Sequence, residues 1–362
     1  MYRPEHAVTN GSELRERGEL GGVFSAKSGR LLANCALLLV IGAAIAATPV
    51  LVSDFVLLQI VIKSLWLGIA GSSLAFLIGQ AGLISLAQTA VFGTSGYLMA
   101  ILVLEHDVGI WVAVAAACIA GPVAGLIIGI ISQRSSGLYL MMLTLAIGVF
   151  VFFFAQQYQP ITRGHTGFNG FDAPIIKGVN LQEREPLFYV SAIAAVGVVI
   201  LLRLVAQSPA GLAYRGLRDN RKRLSALGYS TAATTVSAFA VAGFSAGIGG
   251  VLAVWYNGAI SPGSIDIARI IELLIVVTIG GTIRLEGAFL GALVVTLLRN
   301  YANEFTNRTS TLVGAVFMVI VLISRNGLLG IFINARTKAH KAIKLFGGQR
   351  LKAKQPYPQT NP

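Results

Sequence analysis

The sequence predicts an all-α, polytopic helical membrane protein, on three observations. Of its 362 residues, 55% are hydrophobic and 12% are charged, about half the charged share of an ordinary soluble domain. Long stretches carry no charge at all: 31–53, 64–104, 108–133, 135–162 and 224–265. About 20 apolar residues at helical rise cross the hydrocarbon core of a bilayer. The short alternating segments of a transmembrane barrel are missing.

The apolar runs divide into about ten spans, at 31–53, 56–78, 83–104, 109–132, 137–158, 187–202, 232–256, 270–283, 287–299 and 310–324. Residues 1–30 form a polar cytoplasmic segment, 31–332 the transmembrane domain with a cytoplasmic loop at 203–231, and 333–362 a basic cytoplasmic tail. The first apolar run is too long for the core of a cleavable signal and reads as an uncleaved span.

Charge sets the orientation. With the spans alternating, 21 of the 28 Lys and Arg fall on the side shared by the N-terminal segment, loop 203–231 and the tail. Six fall opposite, and Lys63 lies inside a span. Cytoplasmic loops carry the excess of Lys and Arg, so both termini are expected in the cytoplasm. This also accounts for much of the net charge of +13. The tail has no aromatic-interleaved motif, so nucleic-acid binding is not expected. The long polar loop 163–186 then falls outside. It reads either as plain surface or as a docking surface for something arriving there.

Chemistry is not expected of this chain. Cys35 and Cys118 sit within apolar runs, and the four histidines have no ligand spacing. No phosphate-binding loop, nucleophile elbow or zinc-binding His pair occurs. No cofactor is therefore expected. Ion-coupling carboxylates deep in the spans are nearly absent, which weighs against a secondary transporter, the alternative from another class. A membrane-embedded enzyme lacks its acid–base or nucleophilic residues.

The segment GLAYRGLRDNRKRLSALGYS, 211–230, places five cations between Arg215 and Arg223 against one acid, Asp219. On a helix, Arg215, Arg218 and Lys222 share a face, and Leu217, Leu224 and Leu227 form another stripe. A short amphipathic helix along the membrane fits, ended at Gly228. It reads either as a docking element or as a retention loop with its leucines on the bilayer. Glycine clusters within the spans mark close helix packing or interrupted helices. Interruption is expected at Gly79 and Gly82 and at Gly280 and Gly281, where polar residues accompany the glycines.

Several segments in order resemble a known family. They are GQAGLISLAQTAVFGTSGYLMAIL from Gly79, TGFNGF from Thr166, RDNRKRLSALGYSTAATTVSAFAVAGFSAGIGGVLAVWYNGAISPGS from Arg218, ELLIVVTIGGTIRLEGAFLGALV from Glu272 and SRNGLLGIF from Ser324. Over about residues 55–332 the chain resembles LivM-type permeases of branched-chain amino-acid ABC importers. It departs from their pattern at Gln88, at Thr162 to His165 and at Thr282 to Glu286.

The resemblance implies a type II-like ABC importer permease in a bacterial inner membrane, importing branched-chain or related amino acids. Implied partners are two cytoplasmic ABC ATPases, a second, LivH-type permease, and a periplasmic or extracellular solute-binding protein. Urea, short amides and other small carboxylates are the alternative solutes. The resemblance assigns the 211–230 segment to ATPase coupling, through Arg215, Leu217, Arg218, Asp219, Lys222, Leu224 and Gly228. A zwitterion passing through needs temporary neutral polar partners. Gln80, Ser85, Gln88, Thr89 and Thr144 are the candidates for the translocation path.

Overall fold

In a computed structural model, the described residues are 53–171, 183–282 and 284–305. Short pieces at 48–49, 175–176 and 179–180, and single residues at 311, 314, 315 and 318, are also described. The expected spans 31–53 and 310–324 lie almost wholly outside these residues, as do the boundaries at 30/31 and 332/333. The chain divides into two compact units, Met1–Ser53 and Asp54–Pro362, and helices α1 to α10 belong to the second.

The order is α1 (Asp54–Ala81), α2 (Gln88–Leu104), α3 (Ile110–Ser132), α4 (Leu138–Gln157), α5 (Arg184–Gln207), α6 (Pro209–Asp219), α7 (Arg221–Ala226), α8 (Thr231–Asn257), α9 (Ile267–Gly280) and α10 (Gly287–Phe305). Five of these, α1, α3, α4, α5 and α8, are long and apolar enough to cross a membrane. The apolar helix α2 and the apolar part of α10 are shorter.

Helices α1 and α8 form the buried centre, with α3, α2, α9 and α10 packed around them. Helices α3, α4 and α5 turn most of their surface outward. Leu138, Tyr139, Met142 and Phe150 on α4 are exposed, as suits a face against lipid or another apolar subunit.

An extensive close seam joins α3 to α8. Gly121, Gly125 and Gly129 recur every fourth residue, on one side of α3. A Cβ at Gly121 would sit 2.5 Å from the Gly243 carbonyl, and one at Gly129 would sit 2.9 Å from the Val236 Cα. Small residues let two backbones approach this closely, and van der Waals packing then holds them without help from a hydrophobic effect. The seam surrounds Pro122, inside α3.

The connections that follow α4 and α8 are tied down. Strand β1 (Phe168–Asn169) pairs antiparallel with β4 (Ala259–Ile260). Residues Ile175–Ile176 (β2) and Val179–Asn180 (β3) form a second small hairpin. Phe168 and Phe171 are fully buried, and the Arg163 guanidinium lies 4.7 Å from the Phe168 ring centre. An ion pair between Arg184 and Asp54 joins the starts of α5 and α1.

Candidate functional site

The first break follows α1. Its last turn, Leu77–Ala81, widens to a π-helix, and the amide of Leu83 bonds the Leu77 carbonyl at 3.0 Å. In an α-helix that amide would close on Gly79. Gly82 then takes φ +67°, a left-handed value that an L side chain adopts only with strain. The chain runs irregularly to Ala87, and α2 begins at Gln88.

Polar side chains support this irregular stretch. The Thr144 hydroxyl accepts from the Leu86 amide at 3.0 Å and donates to the Leu140 carbonyl at 2.8 Å. The Ser85 hydroxyl accepts from the Ala87 amide at 3.3 Å. The Ser73 hydroxyl donates to Gln88 Oε1 at 3.3 Å. Of the five candidate path residues, Ser85, Gln88 and Thr144 are thus buried and engaged with the chain itself. Gln80 Oε1 and Thr89 Oγ1 are buried atoms without a hydrogen-bond partner among the described residues. Unpaired buried acceptors are costly, and of the five candidates these two alone have such an atom.

The second break follows α9. Gly280 ends the helix and Gly281 has φ +93°. A Cβ on Gly287 would fall 2.6 Å from the Gly281 carbonyl and 2.7 Å from that of Gly280. The α9–α10 hairpin therefore closes backbone on backbone. The two breaks also touch each other, because a Cβ on Gly79 would strike the Thr282 carbonyl.

Against them lies the 211–230 segment. Ser208 caps α6 with its hydroxyl, and Pro209 occupies the first turn. The expected single helix is two helices. Asn220 adopts φ −161° and ψ 103°, and its Oδ1 accepts from the Arg223 amide at 2.9 Å. It thus N-caps α7, which breaks the face expected to join Arg215, Arg218 and Lys222. Gly228 follows α7 with φ +86°.

The leucine stripe is also redistributed. Leu217 and Leu224 are buried within the chain, with Leu224 against Gly216, whereas Leu227 is 70% exposed. Arg218 is 42% exposed but reaches back to the end of α1: its Nη1 donates to the Gly79 carbonyl at 2.6 Å and its Nε to Asp219 Oδ1 at 3.1 Å. Lys222, Arg223, Leu212 and Tyr229 face outward with Leu227.

Arg215 lines a cavity of about 330 Å³ with Gln80, Arg203, Arg284 and Glu286, where Arg203 and Glu286 form an ion pair. A second cavity, about 460 Å³, lies among α2, α3 and α4. Among its described lining residues only Thr94 is polar, and that hydroxyl is spent on the Ala90 carbonyl. A carboxylate has no free side-chain donor there.

A family model described as branched-chain amino acid transport system, permease component, matches residues 56–323. The chain belongs to this family. It is similar to the high-affinity branched-chain amino acid transport system permease protein LivM of Salmonella typhimurium strain LT2 and of Escherichia coli strain K12. Each is 23% identical over 284 residues, covering 72% of this chain and 67% of the relative. No solved structure gives a significant match.

Two further groups of residues shape the permease. Arg221 donates to the carbonyls of Ser135 at 2.9 Å and Gln133 at 2.8 Å, and to the Thr235 hydroxyl at 3.0 Å. It clamps the α3–α4 turn to the start of α8. Burial lowers its pKa from the ordinary arginine value, and the three acceptors favour the charge.

The other group surrounds Glu272, whose side chain is 2% exposed. It pairs with Arg269, and Arg299 Nη1 lies 3.3 Å from its second oxygen. Lys63 feels all three charges. The Arg269–Glu272 spacing announced half of this cluster. Arg299 arrives from α10, and no local pattern signals it.

Proposed function

We propose that this permease carries branched-chain or related amino acids inward across the bacterial cytoplasmic membrane, within an ATP-driven importer. The observation that carries the reading is the family match over residues 56–323. Relatives named for branched-chain amino acids favour these solutes over urea or amides. Two cytoplasmic ATPases would supply the energy, a LivH-type permease the second half of the pathway, and an external binding protein the solute. The exposed Lys222, Arg223, Leu212, Leu227 and Tyr229 suit docking of an ATPase with an acidic and apolar groove. Thr89 and Gln80, with unpaired buried acceptors, suit transient contact with an ammonium group.

The complete importer in proteoliposomes is expected to accumulate branched-chain amino acid only with ATP on the ATPase side. Transport by this chain alone under a proton or sodium gradient would falsify the reading.

The orientation proposed places both termini in the cytoplasm. A reporter active only outside the cytoplasm is expected to be silent at the C-terminus and active when inserted near Asp172. The opposite pattern rejects the topology.

A further inference from the structure

We propose that Arg218 is the positioning residue through which movement of the α6–α7 segment reaches both helix breaks. This rests on the reading of that segment as the ATPase-docking element. A docking cation would keep its charge free for a partner, whereas the Arg218 guanidinium, though 42% exposed, is bonded to the end of α1.

Three contacts carry the inference. First, the Gly79 carbonyl loses its α-helical donor when Leu83 bonds Leu77 instead, and the Arg218 guanidinium replaces that donor at 2.6 Å. A charge-assisted hydrogen bond of this length is about twice as strong as a neutral one. Second, Gly82 packs on the stem of the same side chain. A Cβ there would lie 2.7 Å from the Arg218 Cγ and 3.0 Å from its Cα. Third, Gly79 abuts the Thr282 carbonyl in the α9–α10 turn, so a shift of the first break is felt at the second.

Asp219, the one acid among the five cations, takes its part here. Its carboxylate holds Arg218 Nε at 3.1 Å, which fixes the plane of the guanidinium while Nη1 reaches Gly79. Tyr214 seats the same helix by an edge-on contact with Phe76, at 5.7 Å between ring centres. Helix α6 therefore holds the end of α1 at the turn where its helical hydrogen bonding stops. A tilt of α6 imposed from the cytoplasm either drags the π-turn or releases the Gly79 carbonyl. Both change the only irregular backbone between α1 and α2.

The test uses the complete importer in proteoliposomes and reads solute moved per ATP hydrolysed, together with the ATPase that co-purifies. Arg218→Gln removes the charge and one arm of the contact. Transport per ATP is expected to fall about tenfold, the scale of one charge-assisted hydrogen bond, while the ATPase stays bound. Arg218→Lys is expected to fall between Gln and wild type, because one ammonium reaches Gly79 but cannot hold the two-sided geometry. Asp219→Asn is expected to lower the ratio less than Arg218→Gln.

Lys222→Glu is the contrast: it is expected to lose bound ATPase and transport together. If Arg218→Gln and Arg218→Lys both keep the wild-type ratio, even with lowered yield, Arg218 is structural only and the proposal is overturned. Loss of the ATPase in proportion to transport overturns it too, and makes Arg218 a docking cation. Full ATPase binding and transport in Lys222→Glu count against the docking reading, and leave the Arg218 ratio to be judged by itself.

Discussion

Glu272→Gln is expected to destabilise the permease more than any other single polar substitution. The change keeps the size of the side chain and removes its charge. Arg269 and Arg299 then flank a neutral amide, two like charges with no acid between them. Removing one partner of a buried ion pair typically costs about 3–5 kcal/mol, because the other charge stays behind unpaired. Arg269 and Arg299 are 28% and 38% exposed, so water screens part of this and the lower end of the range is expected. The measurement is thermal unfolding of the purified protein in detergent. The Glu272→Gln/Arg269→Gln pair should recover part of the loss, since it removes one of the stranded charges. A melting temperature equal to wild type for the single variant would show that the cluster is not held by Glu272.

Leu224→Asp is expected to unfold the α6–α7 segment, not merely to uncouple it. Leu224 is 4% exposed and packs against Gly216 across the break at Asn220. Truncating a buried leucine costs about 2–5 kcal/mol, and burying a carboxylate adds a desolvation penalty. Leu227→Asp, three residues on and 70% exposed, is the control. It should leave thermal stability unchanged and lower the amount of ATPase retained on purification. Limited proteolysis of the loop distinguishes the two: faster cleavage is expected for Leu224→Asp alone. Equal cleavage of both variants would mean that α7 is not seated as described.

The central helices were legible because charge brackets them. Where charge misled, it did so by cutting helices short. The expected span 187–202 stops at Arg203, yet α5 runs Arg184–Gln207. A helix can leave the hydrocarbon and continue, and a charged residue then marks the interface and not the end. The span expected at 83–104 begins too early, because residues 83–87 are irregular. Their backbone is satisfied by Thr144 from α4, a partner 58 residues away from Leu86 that no local period announces.

The 211–230 segment was misjudged for a different reason. Helical spacing was counted straight through Asn220, although Asn is among the favoured N-cap residues. That signal was present and outweighed by the regularity of the cations. The glycines of α3, Gly121, Gly125 and Gly129, are readable too, since their fourfold spacing marks one close-packing face. The bond from Arg218 to Gly79 was not readable at all, since it depends on which carbonyl the π-turn leaves without its donor.

The interrupted stretch between α1 and α2 carries a consequence for the surrounding lipid. Helix α2 has 17 residues, about 25 Å at helical rise, against a hydrocarbon thickness of about 30 Å. The shortfall falls to residues 82–87, whose peptide groups would tolerate no contact with acyl chains. Residues 83–87 are buried or half-buried, and most of α2 is buried too, so neighbouring helices and not the bilayer make up the missing length. Lipid thickness is met by the outward-facing α3, α4 and α5, and the one element with no spare length is shielded from it.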